Sequence, residues 1–178
     1  MVDIVNVALL VVSCVAWTFM VVAVADGPYA GYFRYSGSSV GDVRLGWKGS
    51  TSCTSNRNHC NSDVYSSDTC FVDAMLAVAA FVIIGIVLGF FVMLPIFLTM
   101  VGVGPTVLRI SNITVVLSAF TGVCAMLAWA ISLGRVLDCS TVSWQIDYNP
   151  PLLIVATLGW LGLAIAMSQR RSSSYIHL

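Results

Sequence analysis

Cysteine has the widest chemical reach of any residue type in this chain, and four of its six cysteines fall in polar sequence. Cys53, Cys60 and Cys70 share one segment and Cys139 lies in another. In an oxidising compartment such a set forms two disulfides, whereas in a membrane redox enzyme a pair would exchange electrons beside a span. Four cysteines allow three pairings, and spacing does not separate them; Cys53 to Cys60 is the preferred staple. The redox alternative has Cys70 and Cys139 as its candidate pair, with no Cys-x-x-Cys motif behind it. His59 and His177 are the only histidines, and His59 beside Cys60 is no metal site by itself. Neither paired carboxylates nor a Gly-x-Ser-x-Gly turn is present. The chain is therefore expected to be no enzyme, with no catalytic residue, metal or cofactor.

The charges point away from other chemistries. The 178 residues are 58% hydrophobic and 9% charged, with mean hydropathy +0.93. Ordinary soluble domains run nearer a quarter charged. Lys+Arg and Asp+Glu both number 8, so no basic face is on offer for nucleic acid. Every acid is Asp, and Lys48 is the single lysine, as expected where little helix surface meets water. No acid or base occupies the middle of an apolar run, which argues against a proton relay or a coupled transporter.

The elements that must hold the polar cysteines are four apolar runs. Ile4 to Ala25, Ala74 to Val103, Ile110 to Leu133 and Leu152 to Met167 are long enough, or nearly so, to cross a bilayer as helices. Spans are expected at about 4–25, 74–103, 110–133 and 151–168, with the fourth opened by Pro150 and Pro151. The second exceeds the need of a bilayer and should tilt or extend past it, and Pro95 predicts a kink. Ala23-Val24-Ala25 resembles a signal-peptide cleavage site, but Asp3 and the lack of any Lys or Arg before the run favour a retained span.

Residues 26–73 form the sizeable polar segment. Tyr32-Phe33-Arg34-Tyr35 and Val43-Arg44-Leu45-Gly46-Trp47-Lys48 alternate as strands do, and Gly37, Gly41, Gly46 and Gly49 punctuate them. A small antiparallel sheet is expected, too small for an independent core and so leaning on the helix ends or stapled. Residues 134–149 read as a second loop on the same side, and 169–178 as a short polar tail. Fold class is thus an all-α membrane protein: a four-transmembrane-helix bundle with a small extracellular antiparallel β-sheet in the first loop.

Orientation rests on the cysteines more than on charge. Arg170 and Arg171 abut the fourth span and favour a cytosolic tail, but the loop side carries more basic residues in total. Cysteines in a small loop favour the outside, with both termini cytosolic at a plasma membrane. Cys14 and Cys124, inside spans, read as small apolar fillers.

Some residues read as packing or contact candidates. Gly85 and Gly89 in the second span and Gly159 and Gly162 in the fourth let helix backbones approach closely, more plausibly inside one bundle than across a dimer. Tyr32, Phe33, Tyr35, Trp47 and Tyr65 are contact candidates in the outer loop, since Tyr and Trp bury area at low entropy cost. The alternative is that they fill the loop's own core. Trp17, Trp129, Trp144 and Trp160 read as interface anchors or core filling. Asp73 reads as an interfacial helix cap. Asn112-Ile113-Thr114 reads as a chance sequon match, and the Ile176-His177-Leu178 end as a weak match to peptides that add a strand to a groove.

Four spans, a strand-forming first loop with Leu45-Gly46-Trp47 ahead of Cys53 and Cys60, and a small second loop resemble the claudin and peripheral-myelin-protein superfamily. Within it the pattern is most similar to the amastins, surface proteins of kinetoplastid parasites. Gly46-Trp47-Lys48 before Cys53, Trp129-Ala130, Cys139, Tyr148 and Trp160 carry that similarity. The chain departs from the amastin pattern in lacking a cysteine near Asp42 or Val43 and in the inverted Gly-Trp order. The resemblance implies adhesion, barrier formation or membrane organisation. The partners expected are membrane lipids and either a membrane protein or further copies of the chain. The alternatives are an auxiliary subunit of a channel or transporter complex and, third, a thiol-redox enzyme or small transporter.

Overall fold

The computed structural model describes residues 4–25, 31–37, 41–53, 60–64, 72–101, 112–139 and 145–176. Helix α1 (Ile4–Ala25) leads into strands β1 (Phe33–Gly37), β2 (Gly41–Leu45), β3 (Gly49–Cys53) and β4 (Cys60–Val64). Helices α2 (Val72–Val101) and α3 (Asn112–Cys139), strand β5 (Gln145–Ile146) and helix α4 (Asn149–Ile176) complete the order. All four helices contain a stretch long and apolar enough to cross a membrane. At about 1.5 Å per residue, the 30 residues of α2 would span roughly 45 Å, more than the hydrocarbon thickness.

The helices pack as a ring in chain order, α1 on α2, α2 on α3, α3 on α4 and α4 back on α1. Their outer faces are lined by exposed Val, Ile, Leu and Phe, such as Phe90, Phe91, Phe97, Phe120 and Leu158. That pattern suits lipid on the outside and a tighter, smaller-residue core within. The core is built from Ala16, Met20, Ala23, Val78, Val82, Ala125, Ala128, Ala156 and Trp160. Helix α2 continues through Pro95, and Thr99 Oγ1 donates 2.7 Å to the Pro95 carbonyl.

The sheet has strand order β4-β3-β2-β1-β5, all pairs antiparallel. It stands at the end of the bundle where α1 finishes and α2 and α4 begin. Three features differ from the sequence reading. Helix α3 runs on to Cys139, so this residue closes a helix where a loop was expected. Part of the second loop then becomes β5, pairing Phe33 with Ile146 and Arg34 with Gln145. Two residues of strand are too short for alternation to announce; β5 exists because β1 offers it an edge. Helix α4 likewise continues to Ile176, through the expected tail.

Candidate functional site

A helix ends with four carbonyls that have no intrahelical donor. At the end of α1 two of them are met by side chains from three separate elements. Tyr32 Oη donates to the Ala23 carbonyl at 3.4 Å, and Asn149 Nδ2, from the start of α4, donates to the same oxygen at 3.3 Å. Trp47 Nε1, from the β2–β3 turn, donates to the Val24 carbonyl at 3.1 Å. That turn is tight: the Gly46 amide donates to the Gly49 carbonyl at 2.9 Å, and this aims Trp47 at the bundle.

The backbone completes the seam. The Tyr32 amide donates to Leu45, the Asp147 amide to Tyr32 and the Asn149 amide to Gly31, at 3.0, 3.0 and 2.8 Å. Pro150 and Pro151 follow Asn149, removing two amides that would otherwise lack acceptors at the start of α4. Gly31 has φ +99°, and a Cβ there would stand 2.5 Å from Asn149 Nδ2 and 2.9 Å from the Tyr148 hydroxyl. Glycine is thus demanded twice, by conformation and by space. Tyr32 is fully enclosed, and burial, with a smaller contribution from Tyr148, raises its hydroxyl well above the usual tyrosine range.

The far side of the sheet is held differently. β3 and β4 are bridged by a disulfide between Cys53 and Cys60, which are directly opposed in register with Cα atoms 4.1 Å apart. Every residue of β4 is exposed. Thr51 Oγ1 and Ser62 Oγ lie 3.0 Å apart, and Asn61 Nδ2 donates to both oxygens of Asp63 at 3.4 Å.

Of the contact candidates, Tyr32 and Phe33 are inside the protein, at 0% and 2% exposure. They are corrected from contact surface to foundation, because the start of β1 must cover the bundle end. Trp47 is half-buried against the core and spends its one donor on α1. Tyr35 is partly exposed, while Tyr65 lies outside the described residues, as do Cys70, His59 and Trp144. The expected Cys53 to Cys60 staple is formed. Asp73 stands exposed in the first turn of α2, where the helix dipole favours an acid.

The glycine candidates divide. A Cβ at Gly85 would strike the Met20 methyl, and one at Gly89 would meet Trp160 at 2.8 Å and Trp17 at 3.1 Å. One at Gly159 would meet Ala16 Cβ at 3.0 Å. These three serve packing within the bundle. Gly162 has nothing within 4 Å and faces outward, so it belongs to no internal contact. Gly122, which the sequence reading passed over, packs against Leu161 at 3.0 Å.

Inside the bundle the polar groups are mostly spent on backbone. Trp17 Nε1 donates to the Ile86 carbonyl at 3.0 Å and Ser118 Oγ to the Trp160 carbonyl at 2.9 Å. Ser13, Thr121, Ser132 and Thr157 donate to their own helices. The indole nitrogens of Trp129 and Trp160 are buried with no acceptor. Thr114 of the sequon is buried at the start of α3. Among the described residues no group of three or more His, Cys, Asp or Glu could hold a metal ion. The described residues present a polar sheet on an apolar base. No protein-family model matches the chain, and no curated protein matches it.

Proposed function

We propose that the protein is a non-enzymatic surface tetraspan that mediates adhesion or membrane organisation through its disulfide-stapled sheet. The observation that carries this reading is the seating of that sheet. Tyr32, Trp47 and Asn149 tie its base to the last carbonyls of α1, and its edge strand β4 stays exposed. A sheet anchored so firmly costs little further entropy when a partner docks on it. In this reading the sheet faces the exterior, both termini are cytosolic and the host is the plasma membrane. The resemblance to claudins and amastins, carried by Leu45-Gly46-Trp47 before Cys53 and Cys60, belongs to the same proposal.

The test has two readouts. Cells otherwise unable to aggregate are made to display the chain, and their clustering is compared with that of cells displaying a form lacking residues 41–64. Clustering with the intact chain alone supports adhesion. A mild-detergent pull-down from native membranes reports partners. Clustering by neither form, with one abundant foreign membrane protein recovered, would replace adhesion by the auxiliary-subunit reading. Gly162 favours that second reading, since its bare backbone on an outward face of α4 would let a partner helix approach closely.

A further inference from the structure

Two side-chain oxygens at the foot of the sheet are left over once its hydrogen bonds are assigned. Asn149 Oδ1 and Asp147 Oδ2 are both buried and meet no donor. Asn149 is fully enclosed. Its amide cannot be turned round, because Nδ2 faces the Ala23 carbonyl, which only a donor satisfies. The sequence itself removes the donors. A side chain at the start of a helix ordinarily accepts from the amide two or three residues on. Here Pro151 has no amide, and the Leu152 amide donates to the Tyr148 carbonyl at 3.2 Å. The Asp147 carboxylate accepts the Tyr148 amide through Oδ1 at 3.0 Å, and this leaves Oδ2 over.

The backbone brings the two side chains to one place. One step on from the Phe33 and Ile146 pair, the Asp147 amide donates to the Tyr32 carbonyl. Asp147 therefore stands opposite Tyr32, and directly opposed residues share a face. Tyr32 and Asn149 both reach the Ala23 carbonyl, so that face is turned to the end of α1. Asp147 and Asn149 are two residues apart, which holds their Cα atoms within about 7 Å. The C-terminal end of α1 carries partial negative charge. The opposing positive end of α4 is weakened, since Pro150 and Pro151 replace two of its first amides. A buried acceptor without a donor is costly, and more so when it belongs to a carboxylate.

We propose that Asp147 Oδ2 and Asn149 Oδ1 bind one hard cation of calcium's size, Ca²⁺ or Na⁺, between the sheet and the bundle. Ligands that are all oxygen suit these ions, whereas softer metals select nitrogen or sulfur. Mg²⁺ demands a near-ideal octahedron and gives up water reluctantly, so a buried pair on one strand suits it poorly. Main-chain carbonyls and water would complete a calcium shell of about six to eight oxygens. A single carboxylate sets the affinity low, on the order of 10⁻⁴ to 10⁻³ M for Ca²⁺. The pair lacks the usual mark of a metal centre, three or more His, Cys, Asp or Glu together, because one ligand is an amide. The site goes beyond the adhesion reading and stands whatever the sheet contacts.

The full chain, in nanodiscs of neutral lipid and stripped with a chelator, is titrated with CaCl₂, NaCl, MgCl₂ and choline chloride. Choline supplies ionic strength alone and so isolates screening. Thermal unfolding is expected to rise by about 3 °C or more at about 10 mM Ca²⁺. A rise with Na⁺ over choline, and none further with Ca²⁺, would assign the site to sodium. Asp147→Asn keeps the shape and removes the charge, and it should raise the midpoint concentration by about tenfold or more. Asp73→Asn, at an exposed carboxylate in the first turn of α2, should change it less than about twofold. If Asp147→Asn does not fold, amide exchange in the parent chain decides. The cation should slow exchange at Asp147 and Asn149 and leave β4 unaltered. No shift beyond choline, equal shifts with Mg²⁺ and Ca²⁺, or a shift that survives Asp147→Asn in full would overturn the proposal.

Discussion

At the base of the sheet Tyr32, Phe33 and Leu45 are buried and Trp47 half-buried, whereas at its β4 edge every residue is exposed. The base takes its hold from other elements: α1 supplies carbonyls, α4 supplies Asn149, and β5 adds an edge pairing. Strand β3 pairs with β2, and the edge strand β4 takes its hold from β3 through ladder hydrogen bonds, one hydroxyl pair and one disulfide. Apolar burial is non-directional and tolerates small shifts, while an exposed hairpin is marginal in water and needs a covalent tie. The difference teaches that the disulfide stands where burial runs out. It also predicts that damage to the base spreads through the molecule and damage to the hairpin stays local.

The sharpest way to break that contrast is Gly31→Val. A β-branched residue at φ +99°, placed against Asn149 and Tyr148, carries backbone strain and a clash together. The cost expected is about 3 kcal/mol or more. Thermal unfolding in mild detergent should shift sharply, with the bundle and the sheet lost in one transition. A variant that melts like the parent would mean that the base is looser than its contacts imply.

The paired change Cys53→Ser with Cys60→Ser should act on the hairpin alone. The loop closed by this bridge has a sequence separation of 7. The chain-entropy account then gives about 2 kcal/mol. Amide exchange should rise across β3 and β4 while the main unfolding transition of the helices scarcely moves. A large fall in the helical transition would show that base and hairpin are one cooperative unit.

How much of this could be read beforehand follows from what each signal measures. Apolar length announces a span without any knowledge of neighbours, so α1 to α4 were legible, but hydropathy does not distinguish lipid from protein interior. Gly85 and Gly162 therefore looked alike, although the first packs on Met20 and the second faces outward. Alternation announced β1 and β2, whereas the staple was one preference among three pairings that spacing did not separate. Alternation could not say which aromatic would be enclosed, because Tyr32 and Phe33 are buried by partners more than a hundred residues away, such as Asn149 and Ile146. Gly31 and Asn149 carried no local signal at all, since a positive φ and a carbonyl partner at Ala23 belong to the assembled fold.

Alkaline pH probes the base without a mutation. Burial raises the folded Tyr32 hydroxyl above its value in the unfolded chain, which is about 10. Below that value both states keep the proton, and no stability is lost. As pH rises past it the unfolded chain ionises first, so folded stability falls by up to about 1.4 kcal/mol per pH unit until the folded value is passed. Tyr32→Phe should remove this part of the alkaline loss. An unchanged alkaline profile in Tyr32→Phe would assign the loss to other groups.

Trp47→Phe asks the smallest question. It keeps most of the ring that packs on the core and deletes the donor to the Val24 carbonyl. The expected cost is about 1 kcal/mol, the usual net worth of one such bond. Trp47 sits on the β2–β3 turn, so its strand leads directly into the stapled hairpin. If base and hairpin are separate, amide exchange should quicken at Gly46 and Gly49 and fade before Cys53. Exchange that quickens equally through β4 would place Trp47, rather than the disulfide, as the element that holds the whole sheet in position.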